Sequence, residues 1–321
     1  MIPVYNRVTY LENTLRSVLS QDPGAEEMQI GVVDDASSLG DSEELVRRVG
    51  GERVEFVRQP RRLGGIGNWN SCIERSRGEW VHILHSDDVV FSGFYQSLKA
   101  GLERRDDVGA AFCRHAYIDE NGRWGGISPL ESPTPSILVG FLGKISVGQR
   151  IQCPSIVVRR SVYEKLGGFR TDLSYAADWE MWVRVAAHSP VWYEPSTLAA
   201  FRAHTTSWSA DFLKSAQNVA EERRCIAVMR ELLPSDQAET LARKARENVA
   251  RRALSGAYQA LVKGEFTAAR GQLREGLKCS ASPRVVGMTI LWLPVWVASD
   301  VMHGTFTAGK RLDLTGAGIG S

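Results

Sequence analysis

The chain has 321 residues, which at roughly 100–200 residues per domain allows one large domain and a smaller appendage. Its composition, 43% hydrophobic and 24% charged, excludes a disordered, collagen-like or disulfide-stapled chain. The net charge of +2 gives no support to nucleic-acid binding, and five cysteines without a C-x-x-C pair indicate reduced thiols in the cytoplasm.

The first segment is polar by Asn6, so no secretory leader is expected. Thr9 and Glu12 fit a capping box, and apolar residues at helical spacing follow them, which predicts a helix over about 9–20. Apolar runs at 29–33, 54–57, 80–84 and 109–113 predict strands, with helical patterns between them. Such alternation forms crossover units, so we expect an α/β fold with a mainly parallel sheet.

The second half of the chain is less regular. Residues 119–122 have hairpin-turn chemistry, 155–158 read as a strand, and Ser161 with Glu164 fits another capping box. From about residue 213 the pattern is helical and the charge balance becomes basic. The uncharged stretch 285–299 is too short to span a bilayer and predicts a core or interfacial helix, with contact to a membrane surface left open.

Two acidic pairs, Asp34–Asp35 and Asp87–Asp88, follow predicted parallel strands. Ligands of open α/β sheets bind in the crevice outside these carboxyl ends, and neighbouring carboxylates need a cation or hydrogen-bond donors to stay ionised. Oxygen ligands suit a hard divalent ion such as Mg²⁺ or Mn²⁺, which could in turn hold a diphosphate. Either pair alone could also be an ordinary solvated turn, since Asp is a common turn residue.

Two more residues have both a structural and a chemical interpretation. Asp178 precedes a helical apolar face, so it is either a carboxylate placed on the helix dipole or a catalytic group. His204 follows a predicted strand and is either structural or a metal ligand. The glycines at 65 and 67 begin a dinucleotide-binding pattern, but Asn70 replaces its third glycine, so a redox enzyme is a weak alternative.

Four segments in register resemble the family 2 glycosyltransferases of GT-A fold, over about residues 1–210. They are IPVYNR at 2–7, VVDDAS at 32–37, LHSDD at 84–88 and ADWEMW at 177–182. The resemblance implies a GT-A type doubly wound sheet, with a nucleotide-sugar half at about 1–115 and an acceptor half at about 116–210. Residues 211–321 would form a helical extension. Only Met1 and Ile2 precede Pro3, so most of the first strand of the family is expected to be missing.

The same resemblance implies an inverting enzyme that moves a sugar, most simply from a UDP-sugar, to a hydroxyl of a glycan or lipid-linked acceptor. It would serve cell-surface polysaccharide synthesis at the inner face of the cytoplasmic membrane, without nucleic acid. Asp178 would be the general base, with Trp179 and Glu180 on the acceptor side. Asp88 and His204 would hold Mn²⁺ or Mg²⁺. The donor would contact Pro3, Tyr5, Asn6, Asp34, Asp35 and Asp87. A catalytically idle nucleotide-sugar-binding protein remains the alternative.

Overall fold

The computed structural model describes residues 1–290. Within that range the strands are β1 (Ile2–Val4), β2 (Gly31–Asp34), β3 (Glu55–Arg58), β4 (Trp80–Val81), β5 (Val89–Val90), β6 (Ala110–Ile118), β7 (Trp124–Ile127), β8 (Ser136–Ile137), β9 (Ile156–Arg159) and β10 (Val191–Arg202). The helices are α1 (Leu11–Leu19), α2 (Ser42–Gly50), α3 (Gly65–Glu74), α4 (Phe94–Leu102), α5 (Phe141–Ser146), α6 (Arg160–Leu166), α7 (Ala177–His188), α8 (Trp208–Ser215), α9 (Gln217–Met229), α10 (Ala238–Val262) and α11 (Phe266–Cys279).

The first strands form a parallel sheet of order β1-β2-β3. In its register, Pro3 pairs with Val33, and Val4 pairs with Asp34. On its other side β1 is bordered by residues 82–84, because the Leu84 N–H donates to the Met1 carbonyl at 3.0 Å. Strand β1 is three residues long and lies between two neighbouring segments.

The second sheet has the order β4-β9-β6-β10-β5, with β7 on β6 and β8 on β10. Parallel pairing in it is confined to β6 and β10, and the other strands pair antiparallel. The β6–β7 hairpin turns at the predicted position, where the Gly122 N–H donates to the Asp119 carbonyl at 3.0 Å. The α/β class is thus confirmed; the second sheet is mixed, and within its described residues only β6 and β7 are joined by a short hairpin connection.

Both capping-box predictions are wrong. Helix α1 begins after Tyr10 and α6 begins after Arg159, and neither of these residues makes a side-chain capping hydrogen bond. Helix α1 nevertheless forms within the predicted range of about 9–20, and α6 covers both residues of the second predicted box. Their apolar faces, packed on the sheets, therefore specify these helices more strongly than the cap residues do.

Two buried apolar clusters lie on the two faces of the sheets. One is supplied mainly by α1, α2 and α4, and the other by α3, α5, α6 and α7 together with α9 and α10. Helix α4 approaches β10 closely at Gly101, where a Cβ atom would lie 2.2 Å from Nε1 of Trp192. The second of these clusters contains residues of α7 as well as of the carboxyl-terminal helices α9 and α10. The predicted domain boundary near residue 210 therefore stays a prediction.

Helices α10 and α11 form an antiparallel hairpin against α9. They approach closely at Gly276, where a Cβ atom would lie 3.0 Å from that of Ala253. Of the predicted apolar helix at 285–299, residues 285–290 are helical and the remainder lies outside the described residues. No helix within residues 1–290 has the length and apolar character needed to cross a bilayer.

Candidate active site

A cavity of about 590 Å³ opens at the carboxyl ends of β1 and β2, beside residues 85–88. Several residues singled out in the sequence line it together: Pro3, Tyr5, Asp35, Asp87 and Asp178. The remaining lining comes partly from the glycine-containing loop before α3 and from α8. The sheet edge thus gathers carboxylates from three distant parts of the chain into one space, as expected for open α/β sheets.

The first acidic pair divides its two carboxylates between the cavity and the core. Asp35 faces the cavity and accepts the N–H groups of Leu63 at 2.6 Å and Gly64 at 2.9 Å. Burial raises the pKa of Asp35, against the opposing effect of these two donors. Asp34 is fully buried and accepts the N–H of Ser37 and the hydroxyl of Ser42. Its role in donor binding is untested, and in this structure it braces the loop after β2.

Tyr5 and Asn6 follow β1 but face different ways. The Arg62 guanidinium lies 4.2 Å from the ring centroid of Tyr5, within the range of a cation–π contact, and both residues line the cavity. The Asn6 side-chain oxygen accepts the N–H groups of Ser38 at 2.8 Å and Leu39 at 3.0 Å. Asn6 therefore joins the loops that follow β1 and β2, and its side chain is engaged outside the lining of the cavity.

The second acidic pair contributes to a cluster of potential metal ligands. His85, Asp87 and Asp88 each present one ligand atom, and these atoms lie within 4.8 Å of one another. Asp88 is fully buried; one carboxylate oxygen accepts the Arg202 N–H at 2.8 Å, and the other has no hydrogen-bond partner among the described residues. Burial, together with the neighbouring Asp87 carboxylate, raises the pKa of Asp88 well above its usual value. A bound cation would relieve both effects.

His204 contacts the acidic cluster through Asp87. Its Nε2 lies 3.1 Å from Oδ2 of Asp87, and its Nδ1 lies 3.0 Å from the Thr206 hydroxyl. Arg7 approaches the same Asp87 oxygen at 3.8 Å. The sequence predicts Asp88 and His204 as ligands but not His85, although His85 stands directly before the Ser-Asp-Asp segment. His204 remains a prediction as a direct ligand.

Asp178 lies in the first turn of α7, as predicted, and borders the cavity. Its Oδ1 accepts the Trp179 N–H at 2.7 Å. Burial raises the pKa of Asp178 to about 7, because the effect of burial is larger than the opposing effect of the hydrogen bonds that the carboxylate accepts. A carboxylate with that pKa exchanges protons near neutral pH, and this is the property required of a general base.

Trp179 and Glu180 do not reach the cavity with their side chains. The Trp179 indole is buried and donates to the Ile145 carbonyl at 2.7 Å, and Glu180 is buried in an ion pair with Arg184 at 2.8 Å. Both residues therefore fix helix α7 in place. Their predicted effect on the acceptor side could act only through the position of that helix.

The carboxyl-terminal helices also shape the site, which the sequence did not indicate. The Glu221 carboxylate on α9 accepts the N–H groups of Ser174 at 2.8 Å and Tyr175 at 2.6 Å. These two residues precede Asp178 and line the cavity. Because a carboxylate that accepts two backbone donors holds them firmly, α9 fixes the loop that leads into Asp178.

Comparison with known proteins gives the family. The profile of glycosyl transferase family 2 matches residues 1–167. An uncharacterised protein of Mycobacterium tuberculosis is 28% identical over 70% of this chain and 73% of its own length. A GalNAc(5)-diNAcBac-PP-undecaprenol beta-1,3-glucosyltransferase of Campylobacter jejuni is 32% identical over 38% of each chain.

Solved structures agree with this fold. S. aureus TarS, solved in complex with UDP-GlcNAc, superposes with a TM-score of 0.58 at 12% identity, covering 86% of this chain and 90% of that one. The mannosyltransferase PcManGT of Pyrobaculum calidifontis, solved with GDP-Man and Mn²⁺, gives a TM-score of 0.54 at 19% identity, covering 86% and 84%. The fold is therefore of GT-A type, and the chain is a transferase that belongs to glycosyl transferase family 2.

Proposed function

We propose that this enzyme is a metal-dependent inverting glycosyltransferase that moves a sugar from a UDP-sugar to a hydroxyl of a glycan or lipid-linked acceptor. The observation that carries the proposal is that Asp178, with its raised pKa, shares one cavity with Asp35 and Asp87. A base and the acidic strand ends are thus placed around a space that can hold both substrates. The UDP-GlcNAc bound by the structural neighbour TarS supports the choice of donor.

In the proposed reaction the acceptor hydroxyl oxygen attacks the anomeric carbon from the Asp178 side. The bond between that carbon and the diphosphate oxygen breaks, and its electron pair leaves with the diphosphate. The hydroxyl proton passes to the Asp178 carboxylate as the new glycosidic bond forms. A single displacement of this kind inverts the anomeric configuration and needs no covalent enzyme intermediate.

We assign the donor to the part of the cavity that is lined by the residues after β1 and β2. Tyr5, backed by Arg62, offers a ring face to the nucleoside, and Asp35 lies beside it with Pro3. Asp34 and Asn6 would support this wall from behind through their loop hydrogen bonds. The proposal thus separates residues that contact the donor from residues that hold those contacts in place.

The residues at 85–88 fit a divalent cation. Two carboxylates and an imidazole present atoms close enough to share one ion, and the buried Oδ2 of Asp88, which accepts no hydrogen bond from the described residues and lies 3.7 Å from Nδ1 of His85, is available as a metal ligand. His85, Asp87 and Asp88 would hold the ion, and His204, which contacts Asp87 through Nε2, would orient that ligand in place of the direct metal contact expected from the sequence. When bound, Mn²⁺ or Mg²⁺ supplies the positive charge that neutralises the departing diphosphate.

Turnover with the Asp178→Asn variant tests the proposal. The wild-type enzyme is incubated with a panel of UDP- and GDP-sugars, Mn²⁺ and glycan acceptors, and NMR reports the anomeric configuration of the product. We expect an inverted product and a loss of at least 100-fold in kcat for Asp178→Asn, the low end of general-base effects. An unchanged transfer rate in that variant, or a product that retains the donor configuration, would contradict the mechanism.

We further propose that residues 1–210 form the glycosyltransferase domain, and that the basic helices after it bring the enzyme to an anionic membrane surface. Exposed cations that would face such a surface include Arg243, Lys244 and Arg251 on α10, Lys263 directly after it, and Arg274 on α11. Flotation with vesicles containing phosphatidylserine tests this location. Equal flotation with neutral phosphatidylcholine vesicles would count against it.

A further inference from the structure

Aromatic rings form a continuous wall along one side of the cavity. Starting at the acidic cluster, Trp69 stacks on His85 with ring centroids 4.5 Å apart, and Trp208 meets Trp69 edge-on at 6.0 Å. Phe212 follows at 5.6 Å from Trp208, and Tyr175 follows at 5.6 Å from Phe212. All five rings belong to residues that line the cavity. The wall therefore leads from the acidic cluster to the loop that ends at Asp178.

The middle of this wall is supplied by α8, which is held at both ends. Ser207 caps its start through a hydrogen bond from the Ala210 N–H at 3.2 Å. Near its end, the Leu213 carbonyl accepts a hydrogen bond from Gln272 of α11 at 2.7 Å. The Trp208 ring lies against Gly65, where a Cβ atom would come within 2.9 Å of the ring. The position of Trp208 over the cavity is thus fixed by its neighbours.

The part of the wall nearest Asp178 combines aromatic and polar groups. Trp208 keeps 36% of its surface exposed, and its partner Phe212 borders the same space. Hydroxyl and carboxylate groups of Thr171, Ser174 and Asp211 line the cavity beside these rings. A sugar ring offers an apolar C–H face and a rim of hydroxyl groups, so it matches both features at once. An alkyl chain would match the rings alone and make no use of these polar groups.

We propose that Tyr175, Trp208 and Phe212 form an acceptor subsite that binds a saccharide ring and presents its hydroxyl to Asp178. This inference rests on the proposed function, and it narrows the acceptor to a glycan whose terminal sugar, rather than its lipid, is recognised. The aromatic wall also reaches the acidic cluster. A sugar bound against Tyr175, Trp208 and Phe212 would therefore lie between the proposed donor site and Asp178.

Saturation-transfer NMR with a panel of methyl glycosides, in the presence of UDP and Mn²⁺, tests the subsite. We expect ring-proton signals for at least one glycoside with the wild-type protein and with the matched control Trp124→Ala. Trp124 is an equally bulky exposed residue of β7 and does not line the cavity. The signals should be lost in Trp208→Ala. If that variant does not fold, Phe212→Leu replaces it, with a weakened signal expected.

Kinetics separate this inference from the proposed function. For a saccharide acceptor, Trp208→Ala should raise KM by about tenfold, the equivalent of 1.4 kcal/mol of lost stacking, whereas Trp208→Phe should recover part of the loss. If transfer occurs and KM is the same in Trp208→Ala and Trp124→Ala, the subsite is wrong and the proposed function stands. If glycosides bind at the wall but no donor is turned over, the proposed function is wrong, and the wall is a saccharide-binding site without an acceptor role. Signals from decyl phosphate alone, lost in Trp208→Ala, would assign the wall to a lipid chain and overturn the inference.

Discussion

The Asp178→Asn variant should be more stable than the wild-type enzyme at alkaline pH, although it loses catalysis. Burial raises the pKa of Asp178 from 3.8 to about 7, so between these values the folded state binds more protons than the unfolded chain. Stability therefore falls as the pH rises from about 4 to 7, and the full penalty is present above pH 7. Asparagine has the same shape and no charge, so the variant avoids the penalty.

The magnitude follows from the size of the shift. A rise of about three units at 1.36 kcal/mol per unit sets a ceiling of about 4 kcal/mol. Because Asp178 is only half-buried and borders an open cavity, solvent screening reduces this, and we expect about 2 kcal/mol at pH 8.5. The groups that face Asp178 include Glu222, whose charge adds to the penalty, and Gln149, whose amide opposes it.

Urea unfolding of both proteins at pH 4 and pH 8.5 measures the difference. We expect Asp178→Asn to exceed the wild type by about 2 kcal/mol at pH 8.5, with a much smaller gain at pH 4, because the penalty only begins as the pH passes the unfolded pKa of 3.8. The control is Asp172→Asn, because Asp172 is exposed and its pKa is lowered by Arg170, so its replacement should not stabilise at either pH. A gain for Asp178→Asn that is absent, or equal at both pH values, would refute the reasoning.

Two further predictions concern the supports of the site and the core. Glu221→Ala should lower the free energy of unfolding by about 2 kcal/mol and reduce kcat, because it leaves two loop N–H groups unpaired. Recovery of kcat in Glu221→Gln would show that Glu221 positions the loop and that the loss is not general damage. An unaltered kcat in Glu221→Ala would contradict this prediction. Gly101→Ala should lower the free energy of unfolding, measured by thermal unfolding, by about 1–3 kcal/mol, because its Cβ would overlap Trp192. The control Gly126→Ala has open space around the new Cβ and should lower it far less. Equal effects of the two substitutions would contradict the close contact of α4 and β10.

The sequence predicted those features that depend on local spacing. Apolar periodicity located α7 and placed Asp178 in its first turn, and the ends of the apolar runs predicted that the acidic pairs would meet, as Asp35 and Asp87 do in the cavity. The different environments of Asp34, which is buried, and Asp35, which lines the cavity, also have a local cause, because successive side chains of a strand point to opposite faces of the sheet. Only the structure shows that it is Asp35, and not Asp34, that lines the cavity.

Features that depend on distant contacts could not be predicted. Glu221 lies 47 residues from Ser174, and nothing in a helical pattern marks one carboxylate as the partner of a remote loop. Trp208 and Phe212 read as an ordinary helical spacing, and their place on the cavity follows from how α8 packs on α11 and the loop at Gly65. The failed capping boxes have the same explanation, since tertiary packing decided where those helices begin.

The central claim is that the acidic strand ends bind a nucleoside diphosphate together with a divalent cation. Isothermal titration of UDP into the purified enzyme, with Mn²⁺ and then with EDTA, tests it most directly. The account predicts binding that requires Mn²⁺ and is lost in Asp87→Asn, while the exposed-surface control Asp172→Asn binds as the wild type does. Binding of equal strength with EDTA, or unchanged binding in Asp87→Asn, would contradict the account.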